Sequence, residues 1–286
     1  MWIRYGLGQG ARSVSTAASA LLLSALNRTR HPEIPAVGET VISLTSHGTR
    51  LRHVHLAIES VARGSARAPI VLWLDGPDYD APWPAPLRRL VARGLQVRRS
   101  DGSYGPHTKY WGTFRCLAGT GRRVVTIDDD IIYPSWFLQR LLEAGAESPA
   151  TVRAYRAHRI AMRAGELLPY RRWGQATTTL ASPLHFATGV SGVLYPAALI
   201  DYVAAQGEEF LALSPRADDV WLHLCALRSG HLVRQVYSAP QNFPVLPATQ
   251  LENLAVRNTF GGGNDRQIAV AYRAADIACL WEATSG

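Results

Sequence analysis

Short apolar runs alternate with helical stretches through the first half of the chain, and this alternation constrains the fold more than any other feature. The run 39–45 is apolar and β-branched, and a second such run occupies 69–75. Between them, Leu51, Val54 and Ile58 recur near the spacing of one helix face. The pattern predicts a βαβ unit, in which parallel strands place their carboxyl ends at one working edge of a sheet.

The same patterning predicts the remaining elements. Further strands are expected at 95–98, 123–127, 189–195 and 233–237. Helices are expected at 87–93, 110–118, 134–143 (with Ser135 as its cap), after Pro196, after Arg216, and at 267–281. Loops are expected at 76–86, 102–109 and 175–188, and irregular to helical structure at 150–164. The predicted fold class is therefore α/β, a single Rossmann-like domain with a mostly parallel central sheet flanked by helices.

The length of 286 residues suits one domain with a modest elaboration. We expect residues 39–286 to form this domain and residues 1–38 to be a helical extension. Its apolar stretch, 17–26, is shorter than the roughly twenty residues that span a bilayer. A signal peptide would also need a short apolar core. Arginines on both sides of the stretch, at 4, 12, 28 and 30, favour a helix that packs on the domain or lies at a membrane surface.

The chain is basic, with a formal net charge of +8, and its only lysine is Lys109. Genomic base composition explains an arginine-rich chain as well as selection for phosphate-bearing partners does. The arginines are spread out and no nucleic-acid-binding module is evident, so nucleic acid is not an expected partner. Three dispersed cysteines indicate neither a zinc site nor a disulfide framework and fit a reducing cytosol.

Three consecutive aspartates, Asp128, Asp129 and Asp130, follow the apolar run 123–127 directly. Like charges this close raise one another's pKa, and a divalent cation is the simplest compensation. Oxygen ligands that leave positions open for phosphate suit Mg²⁺ or Mn²⁺. Alternation along the strand end predicts that Asp128 and Asp130 bind the metal while Asp129 points to the other side. A solvated acidic turn is the alternative.

Basic and hydroxyl groups are expected around this metal. Thr45, Ser46 and Arg50 follow the first strand, where open α/β sheets bind nucleotides. Lys109 lies in a Gly- and Pro-containing loop, and its ammonium would complement a diphosphate. With Asp128 and Asp129, these four residues are the predicted donor-binding set. The alternative is that Thr45 and Ser46 cap a helix and that Arg50 and Lys109 are ordinary surface cations.

A second acidic pair, Asp218 and Asp219, opens a predicted helix and supplies a candidate general base. The structural alternative is a pair of carboxylates favoured by the helix dipole. The glycine-containing turn at 188–192 would let backbone approach a sugar closely. Tyr195 and Trp221 are either stacking platforms for that sugar or core residues.

In their order along the chain, these segments resemble nucleotide-diphospho-sugar transferases of the GT-A type, particularly bacterial glycosyltransferases of surface-polysaccharide synthesis. The resemblance covers roughly 39–267 and rests on the runs 41–46 with Arg50, 70–74, 105–109, 126–134, 188–196 and 217–221. It implies that Asp128 and Asp130 hold a metal that bridges the donor diphosphate, and that Asp218 or Asp219 lies on the acceptor side. The run 261–265 is similar to a motif near the donor pocket of related chains.

The expected function is metal-dependent transfer of a sugar from a nucleotide-sugar donor to a hydroxyl of a glycan or lipid-linked glycan. We expect inversion at the sugar, with Asp219 as base, and a cytoplasmic location that includes the inner face of the membrane. A retaining transferase and a catalytically inactive nucleotide-sugar-binding subunit remain the alternatives.

Overall fold

The structure is a computed structural model, and it describes residues 16–29, 33–246 and 263–284. Parts of three sequence expectations lie outside the described residues. They are the flanking arginines Arg4, Arg12 and Arg30, the signal-peptide alternative for the start of the chain, and Gly261 and Gly262 of the glycine-rich run.

Strands and helices alternate in the first half of the chain and short strands dominate its middle. The strands are β1 (Thr40–Thr45), β2 (Ile70–Leu74), β3 (Gln96–Arg99), β4 (Arg123–Thr126), β5 (Val152–Ala154), β6 (Ala157–Arg159), β7 (Met162–Arg163), β8 (Glu166–Leu167), β9 (Gly174–Gln175), β10 (His185–Ala187), β11 (Val193–Tyr195) and β12 (Val233–Gln235). The helices are α1 (16–28), α2 (Val54–Ala62), α3 (Gly76–Asp80), α4 (Ala85–Val91), α5 (Trp111–Leu117), α6 (Phe137–Glu147), α7 (Ala197–Ala205), α8 (Phe210–Leu213), α9 (Asp218–Arg228), α10 (Gly263–Ala271) and α11 (Ala274–Glu282).

Seven strands form the central sheet in the order β12-β5-β11-β4-β1-β2-β3. Neighbouring strands are parallel except β11, which is antiparallel to both β4 and β5. Two small sheets, β10-β6-β9 and β7-β8, lie beside it. The predicted fold class, a mostly parallel sheet flanked by helices, is confirmed.

Strands β1, β2 and β4 are buried on both faces, which explains why they read as apolar runs. Successive residues of a strand point to opposite faces. Val41 and Val124 accordingly pack into one core with α5, α7 and α9, while Ile42 and Val125 pack into the other with α2, α4 and α6.

The region 150–164 is where the sequence prediction of irregular to helical structure is wrong. It contains β5, β6 and β7, because β5 pairs with β11 and β12 and β6 pairs with β9 and β10, all distant in sequence. Two predicted loops also contain elements, α3 within 76–86 and β10 within 175–188. Helix α6 begins after Trp136, so Ser135 is not its cap.

Helix α1 packs on the domain through one face. Leu23 is buried against Leu56, Ile132 and Leu246, and the Asn27 amide donates a 2.9 Å hydrogen bond to Glu59. On the outer face, Leu21 is 73% exposed and Leu22 is 51% exposed. Within the described parts of the chain, no helix combines the length and apolarity needed to cross a bilayer.

Candidate active site

The carboxyl ends of β1 and β4 lie side by side, since these strands are parallel neighbours with Ser43 opposite Thr126. Extending that register brings Ser46 opposite Asp129. Strand β11 runs antiparallel to β4 with Val193 opposite Thr126, so the turn 188–192 before β11 comes to the same edge. The aspartates, the end of β1 and this turn therefore converge at the edge where open α/β sheets bind ligands.

Asp129 is the buried member of the three aspartates and is only 6% exposed. Its carboxylate accepts a 2.6 Å hydrogen bond from the Ser46 hydroxyl and two hydrogen bonds from the Arg50 guanidinium. A bidentate pairing of this kind fixes both partners in orientation. In this structure Asp129 thus contacts protein groups and orders the end of β1 against the end of β4.

Asp128 and Asp130 are more accessible, with side chains 19% and 20% exposed. Asp128 lies 2.6 Å from the Lys109 ammonium, whereas Asp130 lies 2.9 Å from the Arg50 guanidinium. The two carboxylates expected to share a metal are therefore each paired with a different cation, and both are partly exposed.

Lys109 joins the aspartates after β4 to those that open α9. Its ammonium lies 2.6 Å from Asp128 and 3.5 Å from Asp218. Burial disfavours the charged ammonium, but the charges of Asp128, Asp218 and Asp219 outweigh burial and hold the pKa of Lys109 well above its usual value. Lys109 is consequently a permanent cation between the two acidic groups.

His107 anchors the loop that carries Lys109. Its Nε2 lies 2.8 Å from the carbonyl oxygen of Ser214, which can only accept, so Nε2 carries the proton. Nδ1 then accepts from the Tyr110 hydroxyl at 2.8 Å. Burial lowers the pKa of His107 and keeps the ring neutral. Because Ser214 lies shortly before α9, this contact joins the loop that carries Lys109 to the segment that leads into Asp218.

Asp218 and Asp219 occupy the first turn of α9, where the helix dipole favours carboxylates. The Gly189 amide donates a 2.8 Å hydrogen bond to Asp219. A Cβ at position 189 would lie 3.1 Å from the Asp219 carboxylate and 3.2 Å from the Lys109 ammonium. Glycine at 189 therefore lets the turn approach both groups closely.

Among the described residues, the site carries more carboxylates than cations. Asp128, Asp129, Asp130 and Asp218 form ion pairs with Arg50 or Lys109, and the charge of Asp219 also acts on Lys109. Burial, and next the charge of Asp128, raise the pKa of Asp130 to about 6. Burial, and next the charge of Asp218, raise the pKa of Asp219 to about 8. A further cation would relieve the repulsion behind both shifts.

The donor set fits a divalent oxygen-binding cation when phosphate ligands complete it. In the described portion of the chain, no group of three or more His, Cys, Asp or Glu side chains is placed to hold a metal by itself. Mg²⁺, however, is usually held by one or two carboxylates together with substrate phosphates and water. Asp128 and Asp130 supply such a pair at an accessible edge with excess negative charge.

Other predicted site residues have protein partners. The Thr45 hydroxyl donates to the Trp73 carbonyl oxygen at 2.9 Å, and the Ser46 hydroxyl is taken by Asp129. Tyr195 and Trp221 are 3% and 1% exposed and belong to the core, so neither is placed to stack on a sugar.

Asp75 and Asp265 add to the surroundings of the site. Asp75 follows β2, the parallel neighbour of β1, and burial followed by the charge of Asp78 raises its pKa. An acid directly after an apolar run was the available signal, but sequence reasoning did not select it. Asp265, in the glycine-rich run 261–265, accepts a 2.6 Å hydrogen bond from the Tyr170 amide.

Comparison with known proteins relates the chain to others through structure. No family model and no curated protein matches the sequence. A mannosyltransferase, PcManGT from Pyrobaculum calidifontis, solved in complex with GDP-Man and Mn²⁺, is similar over 96% of this chain and 79% of its own, at 12% identity and a TM-score of 0.53. S. aureus TarS 1–349 covers 85% of this chain and 70% of its own, at 11% identity and a TM-score of 0.47.

A 4-diphosphocytidyl-2C-methyl-D-erythritol synthase from Anaerococcus prevotii covers 80% of this chain and 95% of its own, at 14% identity and a TM-score of 0.47. At 12% identity, the likeness to PcManGT concerns the fold alone. The protein has a GT-A-like α/β fold, with its candidate site at the carboxyl edge of the sheet.

Proposed function

We propose that the protein is a metal-dependent glycosyltransferase that uses a nucleotide-sugar donor. One observation carries the proposal: two accessible acidic groups, one after β4 and one opening α9, meet at the same edge and share Lys109 between them. One group suits a metal and a diphosphate, and the other suits an acceptor hydroxyl. The fold shared with a mannosyltransferase solved with GDP-Man and Mn²⁺ supports this class of donor.

On the donor side, Asp128 and Asp130 would hold Mn²⁺ or Mg²⁺. When bound, the cation neutralises the charge that develops on the departing nucleoside diphosphate. Arg50 and Lys109 lie beside these carboxylates and would contact diphosphate oxygens. The donor-binding role predicted for Thr45, Ser46 and Asp129 then becomes one of positioning, since their side chains hold Trp73, Asp129 and Arg50.

On the acceptor side, Asp219 would remove the proton of the attacking hydroxyl. Burial and the charge of Asp218 raise the pKa of Asp219, which makes the ionised carboxylate a stronger base. Asp218 holds Lys109 and keeps the pair of acids in register. A base on this side of the sugar supports a single inverting displacement, with a retaining reaction as the alternative.

We expect nucleotide sugars with Mn²⁺ to raise the melting temperature of the chain. A ligand at one hundred times its Kd stabilises by about 2.7 kcal/mol, which corresponds to a shift of roughly 5 °C for a chain of this size. Thermal-shift screening of UDP-, GDP-, CDP- and dTDP-sugars with Mn²⁺ or with EDTA measures the shift and identifies the donor.

The matched variants are Asp130→Asn, which removes a proposed ligand, and Glu282→Gln, an exposed residue of α11. Asp130→Asn should lose the Mn²⁺-dependent shift and Glu282→Gln should keep it. Equal shifts with Mn²⁺ and with EDTA would contradict the metal assignment. Donor binding without transfer to any acceptor would favour the inactive binding subunit.

The acceptor, the pathway and the location in the cell are further parts of the proposal. We propose a role in bacterial surface-polysaccharide synthesis with a glycan or lipid-linked glycan acceptor, on the cytoplasmic side of the membrane. Residues 1–38 would be an extension of the domain 39–286, with α1 at the membrane surface. Its outer face exposes Leu21 and Leu22, Arg28 is exposed at its end, and Leu23 packs on Ile132 close to the aspartates.

The double change Leu21→Glu and Leu22→Glu should weaken binding to anionic vesicles at least about tenfold, because it replaces apolar area with charges that the membrane repels. Co-sedimentation with phosphatidylglycerol-containing vesicles measures this. Leu180→Glu is the matched control, since Leu180 is 74% exposed and lies in the loop before β10. Unchanged sedimentation of the double variant would refute the membrane contact.

A further inference from the structure

Arg156 is a charged residue that the proposed mechanism leaves unused. It lies between β5 and β6, and its Nε is buried without a hydrogen-bond partner. Among the described residues, no carboxylate lies within ion-pair distance of its guanidinium. Burying part of a cation without a partner is unfavourable unless something else compensates the charge.

The backbone of Arg156 is hydrogen-bonded to the turn 188–192, which also contacts Asp219. The Thr188 amide donates to the Arg156 carbonyl oxygen at 3.1 Å, and the next residue, Gly189, donates to the Asp219 carboxylate at 2.8 Å. Arg156 is therefore hydrogen-bonded to Thr188, and the next residue, Gly189, contacts the proposed base Asp219.

Tyr170 packs against β6, the strand that follows Arg156. Its ring packs edge-on to His158 at 5.4 Å between centroids. Burial and then the charge of Asp219 raise the pKa of the Tyr170 hydroxyl, while the charge of Arg156 opposes the rise. The charges of Asp219 and Arg156 therefore both act on the Tyr170 hydroxyl.

Neighbouring arginines do not share this arrangement. Arg153 belongs to β5 of the central sheet and is 0% exposed, so no ligand reaches it. Arg159 is exposed, whereas Arg228 pairs with Asp276 and Arg234 pairs with Glu147. Arg156 differs from all four because it is partly exposed, unpaired, and adjacent to the turn that holds Asp219.

We propose that Arg156 binds an oxyanion of the acceptor, a phosphate or a carboxylate, while the acceptor hydroxyl lies at Asp219. The guanidinium fork matches the oxygens of either group. The inference rests on the proposed function, in which Asp219 faces the acceptor. It assigns the acceptor to the class of anionic sugars or sugar phosphates.

The test is a titration of the ¹⁵N-labelled, metal-free full chain observed through arginine Nε–H resonances. The Arg156 resonance is identified by its loss in Arg156→Lys. Inorganic phosphate and glucuronate are added in separate arms at constant ionic strength, with glucose as the neutral control. We expect a saturable shift of the Arg156 resonance with at least one anion and none with glucose.

If only phosphate shifts the Arg156 resonance, the acceptor group is a phosphate, and if only glucuronate shifts it, the group is a carboxylate. If each anion shifts the resonance, the site accepts either kind of oxyanion. Arg156→Gln should weaken anion binding about tenfold or more, whereas Arg159→Gln should not. No shift with either anion, or undiminished binding in Arg156→Gln, would overturn the inference.

The same preparations are screened for Mn²⁺-dependent stabilisation by nucleotide sugars, which separates the two proposals. Stabilisation of the wild type together with an unmoved Arg156 resonance refutes the acceptor site alone. Absence of stabilisation by any nucleotide sugar refutes the proposed function, whatever the anions do. Arg156→Lys, which keeps the charge, should retain more anion affinity than Arg156→Gln.

Discussion

Replacing Asp219 with Asn should lower kcat for sugar transfer by about 10²- to 10⁴-fold while donor binding is retained, since general-base catalysis contributes that much. The amide keeps the shape of the side chain and can still accept from the Gly189 amide, but it cannot take a proton. Steady-state kinetics with the donor found by thermal shift measures the loss.

The pH dependence of kcat tests the role of Asp219 as a base independently. Asp219 must be ionised to accept a proton, so activity should rise with pH. Burial and the charge of Asp218 raise the pKa of Asp219, and a cation bound near Asp128 favours the ionised carboxylate, so Mn²⁺ should shift the midpoint of this rise to lower pH. Asp219→Asn should lack this rise.

Two matched variants sharpen the assignment. Asp218→Asn should reduce kcat less than Asp219→Asn, because Asp218 acts through Lys109, and Glu282→Gln should leave kcat unchanged. A larger loss of kcat in Asp218→Asn than in Asp219→Asn would instead make Asp218 the base. A product that retains the anomeric configuration of the donor, read by NMR, would remove the need for either base.

Replacing Asp129 with Ala should lower the free energy of unfolding by about 2–3 kcal/mol, because it leaves Arg50 and Ser46 without their shared partner. Arg50 keeps its contact with Asp130, which limits the loss. Urea unfolding followed by circular dichroism measures the change.

Asp128→Ala is the matched comparison at the adjacent position. Asp128 is more exposed, Lys109 keeps its contact with Asp218, and repulsion among the remaining carboxylates is relieved. The free energy of unfolding should therefore change by less than about 1 kcal/mol. The pair of variants therefore separates a structural aspartate from a binding one. Equal destabilisation by both would contradict that division.

Much of the fold follows from local sequence pattern. Buried strands of the parallel sheet appear as apolar runs, and the glycines and prolines between them mark the turns, so β1, β2, β4 and β11 were predictable. The segment 150–164 was not, because its strands are short and rich in arginine. Their pairing with β9, β10, β11 and β12 outweighs local preference.

The sequence by itself determined that three aspartates would end a central strand and that Thr45, Ser46 and Arg50 would end another. Both statements depend only on strand position and on the shared direction of parallel strands. The tertiary structure alone decided that Asp129 orders Arg50 while Lys109 joins Asp128 to Asp218. Those partners are far apart in the chain, and only the register of β1, β4 and β11 with the start of α9 brings them within hydrogen-bonding distance.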